Sequence, residues 1–229
     1  MIIVNGENSA HGKGITPKIM EWFKKIGVDV VTSGNHIWDK KDIYPYLIAN
    51  KDLLRPANFP TECPGVGMTV VKKGAIRFGV MNLQGRAFMR QLLSCPFKTA
   101  DSLLTYLKHN ADVIVVDFHA ETSAEKLAMG YYLDGKVSTV YGTHTHVQTA
   151  DARVLPGGTA YITDIGMAGA LNSMIGMEKE RMINAMITQL PTKFEVDDKP
   201  PFVMSGICVN VDSKGKANKI ERIYIVDDN

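Results

Sequence analysis

Four short apolar runs in this chain each end in a block of side chains able to bind a cation. Ile2-Ile3-Val4 leads into Asn5-Gly6-Glu7-Asn8, and Val28-Asp29-Val30-Val31-Thr32 leads into Gly34-Asn35-His36. Val113-Ile114-Val115-Val116 leads into Asp117-Phe118-His119-Ala120-Glu121. A fourth stretch with strand character, Val137–Tyr141, leads into Gly142-Thr143-His144-Thr145-His146. Continuous β-branched runs of this length read as strands buried on both faces of a sheet. In sheets flanked by helices, ligand sites gather beyond the carboxyl ends of the strands. The pattern therefore predicts one polar site assembled at four strand ends. Residues two apart on an extended backbone project to one side, so His144 and His146 are expected to hold one metal ion or straddle a pair.

Around these runs, helix and strand alternate before a strand-rich end. Thr16-Pro17 opens a helix reaching about Ile26 and stopped by Gly27. Further helices are expected over Lys40–Asn50, Thr99–Asn110, Ser123–Leu133 and Glu178–Gln189. Gly67–Val71 and Ile76–Leu83 read as a hairpin around Lys72-Lys73-Gly74-Ala75. Ala160–Thr163 reads as a strand, and Ile207–Val211 and Lys219–Val226 as strands around Ser213-Lys214-Gly215. This order predicts a layered α/β sandwich, in one domain over 1–229, rather than a simple doubly wound sheet.

Composition narrows the partners. With 45% hydrophobic residues among 229, a chain of this size buries roughly 70–75% of its unfolded surface and needs no disulfide staple. Cys63, Cys95 and Cys208 form neither a C-x-x-C pair nor a framework, which favours the reducing cytoplasm. A net charge of +2 offers no electrostatic argument for a nucleic-acid duplex or an acidic partner. No apolar run approaches roughly 18 residues, so no membrane span is expected. There is no Gly-x-Ser-x-Gly elbow for a serine hydrolase. Ala10-His11-Gly12-Lys13-Gly14 lacks P-loop spacing, and His11 reads as solvated loop.

The candidate ligands are Glu7, Asn8, Asn35, His119, His144 and His146. Oxygen and imidazole donors without thiolate suit Mn²⁺, Fe or Zn²⁺. Six donors exceed the needs of one tetrahedral ion. They serve two ions if the Glu7 carboxylate bridges them. Two such ions clamp a phosphoryl group for in-line displacement by an activated hydroxide. His36, beside a candidate ligand, is the candidate general acid for the leaving alkoxide.

Taken together, three stretches resemble the calcineurin-like metallophosphoesterases. They are Asn5–Asn8, Ser33-Gly34-Asn35-His36-Ile37-Trp38-Asp39-Lys40 and Gly142–Asp151. More narrowly they resemble the YmdB-type branch, as do Leu54–Pro60, Asn82–Arg86 and Tyr161–Met167. The resemblance spans essentially the whole chain. It implies an αββα sandwich and a dinuclear phosphodiesterase acting on cyclic nucleotides, 2′,3′-cyclic or 3′,5′-cyclic. It carries metal roles onto Glu7, Asn35, His119, His144 and His146, with Asn8 a ligand or close neighbour, and the acid role onto His36. The partner it implies is a small phosphodiester.

One departure qualifies the match. The family opens with a strand ending in Gly-Asp, and that Asp is a metal ligand. This chain starts at what would be the second strand. The expectation is a member shortened by about one strand and helix, with two metal sites of which one is weakened. A bared sheet edge would favour a homo-oligomer. A non-catalytic metal- or nucleotide-binding regulatory protein is the alternative reading, and a mononuclear carbon–nitrogen hydrolase is a third.

Other residues receive structural roles. His109 closes a helix, where its charge suits the dipole. Arg86 serves a phosphate or a surface ion pair, and Asp164 orients a ligand histidine or makes a turn. Trp38 is expected to pack under its loop. Met167, Met174, Met177, Met182 and Met186 are expected to fill core gaps.

Overall fold

The structure is a computed structural model in which residues 1–228 are described. The β-branched runs build two of its three sheets. Strands β1 (Ile3–Asn5) and β2 (Val30–Thr32) pair in parallel, with helix α1 (Pro17–Lys25) between them in sequence. Thr16 caps α1, its hydroxyl accepting from the Ile19 amide, with Pro17 in the first turn. A 3₁₀ turn, Lys41–Ile43, then leads into α2 (Tyr44–Ala49). The single helix expected over 40–50 is thus broken, because Pro45 is confined to the first turn of a helix. Trp38 packs edge-on against Tyr44 and Phe59, as expected of a residue beneath its loop.

The central sheet holds β3 (Met68–Lys73), β4 (Ile76–Gln84), β5 (Val113–His119), β6 (Thr139–Thr143), β7 (Arg153–Val154) and β8 (Ala160–Ile162). Their order is β3-β4-β5-β6-β8-β7; the four inner strands run parallel and both edges antiparallel. Helices α3 (Pro96–Asn110) and α4 (Ser123–Leu133) lie on one face, against β4 and β6. Ile114, Val116 and Phe118 point into that layer and join Leu104, Leu107, Met129 and Leu133 in the main core. The strand period of two then sends Asp117 and His119 to the opposite face. There β1 and β2 approach, and Asn5 and Thr32 donate to the Asp117 carboxylate. Helix α3 begins at Pro96 rather than Thr99, with the proline in its first turn.

A third sheet is antiparallel, ordered β11-β10-β9: β9 is Ala168–Ala170, β10 Phe202–Val211 and β11 Ala217–Asp227. Its hairpin rests against β7 and β8. β10 starts five residues before the expected Ile207, because Phe202–Met204 pair with β9. The five methionines assigned to the core are not in it. None is buried, and helix α5 (Lys179–Thr188), which carries two of them, has no buried residue.

Gly142, inside β6, has no room for a side chain. A Cβ there would strike the Thr163 carbonyl oxygen and press on Lys126 Cδ. The carbonyl is backbone and yields little. Gly142→Ala is therefore expected to cost about 3 kcal/mol, the upper part of the overpacking range, read as a lower urea midpoint.

Candidate metal centre and active site

The polar blocks do converge. Ligand atoms of Glu7, His119 and His144 all lie within 4.8 Å of one another. Glu7 arrives from the end of β1 and His119 from the last position of β5; His144 follows the last residue of β6. Glu7 and His119 are almost fully buried, with Nε2 of His119 2.7 Å from Glu7 Oε2. Asn35, just beyond β2, sets its Oδ1 3.0 Å from the same nitrogen. Gly34 makes this approach possible. Any Cβ there would collide with the His119 ring and the Glu7 carboxylate.

Proton bookkeeping around His119 tests whether a cation fits. Its Nδ1 lies 3.0 Å from Thr143 Oγ1, and that hydroxyl donates to Asp117 Oδ1 at 2.7 Å. With its proton committed to Asp117, Thr143 must accept from Nδ1–H. Nε2 then faces two oxygens, Glu7 Oε2 and Asn35 Oδ1, that are themselves acceptors. A positive charge belongs there, carried by a proton on Nε2 or by a bound cation, and the donor set suits a divalent ion. Burial pushes the Glu7 carboxyl up. The charge and hydrogen bond of His119 and the His36 amide, 2.7 Å from Oε1, outweigh it and hold Glu7 below its ordinary value. Burial, then neighbouring His119, pulls His144 down to about 4, so its ring is neutral and available as a ligand near pH 7. Burial also raises the Asp117 carboxyl, against the donors that pull it down.

The remaining predicted residues line the same open cleft, of about 300 Å³. Asn8 and His36 are there, yet Asn8 spends its amide on the Gly12 carbonyl at 2.8 Å. His36 is held by Asp39, Nδ1 to Oδ2 at 2.8 Å, which leaves Nε2 without a partner among the described residues. His146 lines the cleft but places Nδ1 3.0 Å from the Ile175 carbonyl, outside the Glu7–His119–His144 group.

The geometry of His-x-His differs from the expectation. β6 ends at Thr143, and His144 and His146 have φ of 99° and 65°. The pair sits on a left-handed turn, not on an extended strand. Beneath this turn lies a buried ion pair that sequence spacing does not reveal. Asp164 accepts from Lys126 Nζ at 2.8 Å and from both the amide and hydroxyl of Thr145. Of the two roles open to Asp164, its hydrogen bonds show the turn: it holds Thr145, between the two histidines, and bonds neither imidazole. Glu121, which is not among the expected ligands, places its Oε2 2.9 Å from His144 Nε2. Its signal in the sequence is the alternation Asp117, His119, Glu121. Arg86 donates its backbone amide to Glu125.

One acid and two imidazoles thus converge where a cation could be held, and His36 lines the same cleft. The profile of YmdB-like proteins matches residues 1–223. The chain belongs to the YmdB-like family. It is 49% identical over 227 residues to the 2′,3′-cyclic-nucleotide 2′-phosphodiesterase of Bacillus subtilis, covering 99% of this chain and 85% of that protein. A phosphatase structure from Mycoplasma pneumoniae superposes with a TM-score of 0.92 at 39% identity, covering 100% of this chain and 83% of that one. A hypothetical protein from Thermus thermophilus gives 0.92 at 37% identity, covering 99% and 88%. The YmdB-like chain is thus a metallophosphoesterase by family and has the calcineurin-like phosphoesterase fold. Among the described residues, no helix is long and apolar enough to cross a membrane.

Proposed function

We propose that this chain hydrolyses cyclic-nucleotide phosphodiesters, 2′,3′-cyclic ones foremost, using divalent metal. The convergence of Glu7, His119 and His144 within 4.8 Å carries the reading. Glu7, Asn35, His119 and His144 would hold one ion, and Asn8 and His146, on the cleft wall, would be the residues available to a second. Bound metal neutralises charge on phosphate oxygens and makes water a stronger nucleophile near neutral pH. The chain supplies the rest. Asp39 orients the His36 ring, and the free Nε2 carries the proton that the leaving ribose oxygen needs. Lys13 on the same wall adds positive charge for the phosphate. The B. subtilis relative's activity supports this substrate class. A reducing compartment suits the three free cysteines. The non-catalytic alternative is not favoured, because donors and an oriented acid stand together.

The acid role has a direct test. His36→Ala is expected to slow hydrolysis of ribosyl diesters by ~10²–10⁴-fold. A nitrophenyl diester, whose leaving group barely needs a proton, should lose far less. Equal losses on both substrates would remove His36 from the acid role.

A further inference from the structure

We infer that the cavity beside the metal cleft is a nucleoside subsite, with Tyr224 as its stacking face. The inference rests on the phosphodiesterase reading for the class of its ligand. The two concavities share His146 and Ile175 as a common wall. The second has about 580 Å³, within the usual span for small-ligand sites. It is large enough for a base and sugar whose phosphate sits at Glu7, His119 and His144.

One face of the β10–β11 hairpin forms its far wall. Alternation along the strands sets Val203 and Ser205 of β10 and Arg222 and Tyr224 of β11 on that face. Ser205 pairs directly with Tyr224 across the ladder. Val203 is buried and gives an apolar floor with Met167 and Leu171. Above it, the fold leaves polar groups unused. Arg222 has no carboxylate partner among the described residues, and its one hydrogen bond, to the Thr149 carbonyl, is 3.5 Å long. The hydroxyls of Ser205 and Tyr224 have no hydrogen-bond partner among the described residues, and Tyr224 is 56% exposed.

An exposed ring, an unpaired guanidinium and a free hydroxyl over an apolar floor match a heteroaromatic base. The base has two π-faces and an edge of carbonyl and ring-nitrogen acceptors for Arg222 and Ser205. Stacking tolerates every base, because each has a π-face. The subsite therefore accepts purines and pyrimidines alike.

The test compares adenosine 2′,3′-cyclic phosphate with ethylene phosphate, a five-membered cyclic diester lacking sugar and base. Tyr224→Ala is expected to lower the nucleotide-over-ethylene ratio of kcat/KM by roughly 5- to 150-fold, the span of base–aromatic stacking. The loss should appear in KM for the nucleotide, and Tyr224→Trp should restore it. Ile225→Ala, on the opposite face of β11, should leave the ratio unchanged. An unchanged ratio in Tyr224→Ala would overturn the subsite while the phosphodiesterase reading stands. Should the wild-type protein cleave neither diester, that reading falls, and calorimetric binding of adenosine 3′-monophosphate decides the subsite. Weaker binding by Tyr224→Ala than by wild type supports it, and equal binding overturns it.

Discussion

Lys126→Met is expected to destabilise the protein by about 3–5 kcal/mol, the loss found when one partner of a buried ion pair is removed. The Lys126 and Asp164 side chains are 1% and 0% exposed, so no solvent can replace the missing ammonium. Asp164 would keep its backbone donors, the amides of Thr145 and Gly166, but hold an unneutralised charge in the interior. Lys126 Nζ also donates to Thr145 Oγ1 at 3.0 Å, so the variant loosens the residue between His144 and His146. Two readouts follow. The urea midpoint should drop, and metal affinity, measured by titration where the variant is still folded, should drop with it. Lys126→Met with Asp164→Leu should recover part of the stability, since both charges are gone, but not the metal affinity. The Thr145 amide and hydroxyl would then have lost the acceptor that fixes the turn. Wild-type stability in the single variant would mean the pair contributes nothing net.

This pair also marks where reading the chain stops. The four strand ends were legible because backbone geometry dictates them. A buried β-branched run has one direction, and whatever follows it lies at one edge of the sheet. That brought Glu7, Asn35, His119 and His144 together without any knowledge of tertiary contacts. Lys126 and Asp164 are 38 positions apart, on a helix and after a strand. Nothing local distinguishes a buried lysine on α4 from the solvated ones on α1. The His-x-His turn failed for a related reason. Strand periodicity does not extend past Thr143, where the Asp164 carboxylate captures Thr145 and forces a left-handed path. Strands β7 and β9, of two and three residues, are too short to carry a period at all. Gly206 interrupts the apolar pattern of β10 and hides its first half. The methionines were assigned by chemistry alone, and chemistry does not separate a core gap from a cavity wall; Met167 and Met177 line the two concavities.

Removal of the His119 imidazole should abolish tight metal binding, and the graded variants around it should show why. His119 is the donor whose surroundings are most fully determined: Thr143 holds Nδ1, Thr143 is held by Asp117, and Nε2 is turned toward Glu7 and Asn35. His119→Ala deletes the ligand itself. Thr143→Val keeps the ligand and the volume but removes the acceptor that fixes its tautomer, a change expected to weaken metal binding by ~10–100-fold. His146→Ala touches neither, because His146 stands outside the Glu7–His119–His144 group. Elemental analysis of metal per chain separates the cases. Loss of all metal in His119→Ala, with one ion retained in His146→Ala, would mean two positions of unequal strength, the stronger at the buried group. Equal metal in wild type and His146→Ala would mean that only the buried position is filled. Absence of metal from the wild type itself would show that the buried lone pairs are joined by a proton instead, with His119 as an imidazolium locked to Glu7. In that state the cleft keeps an oriented His36 but loses the charge that would draw a phosphate to it, so phosphodiester turnover should then be independent of added metal or absent.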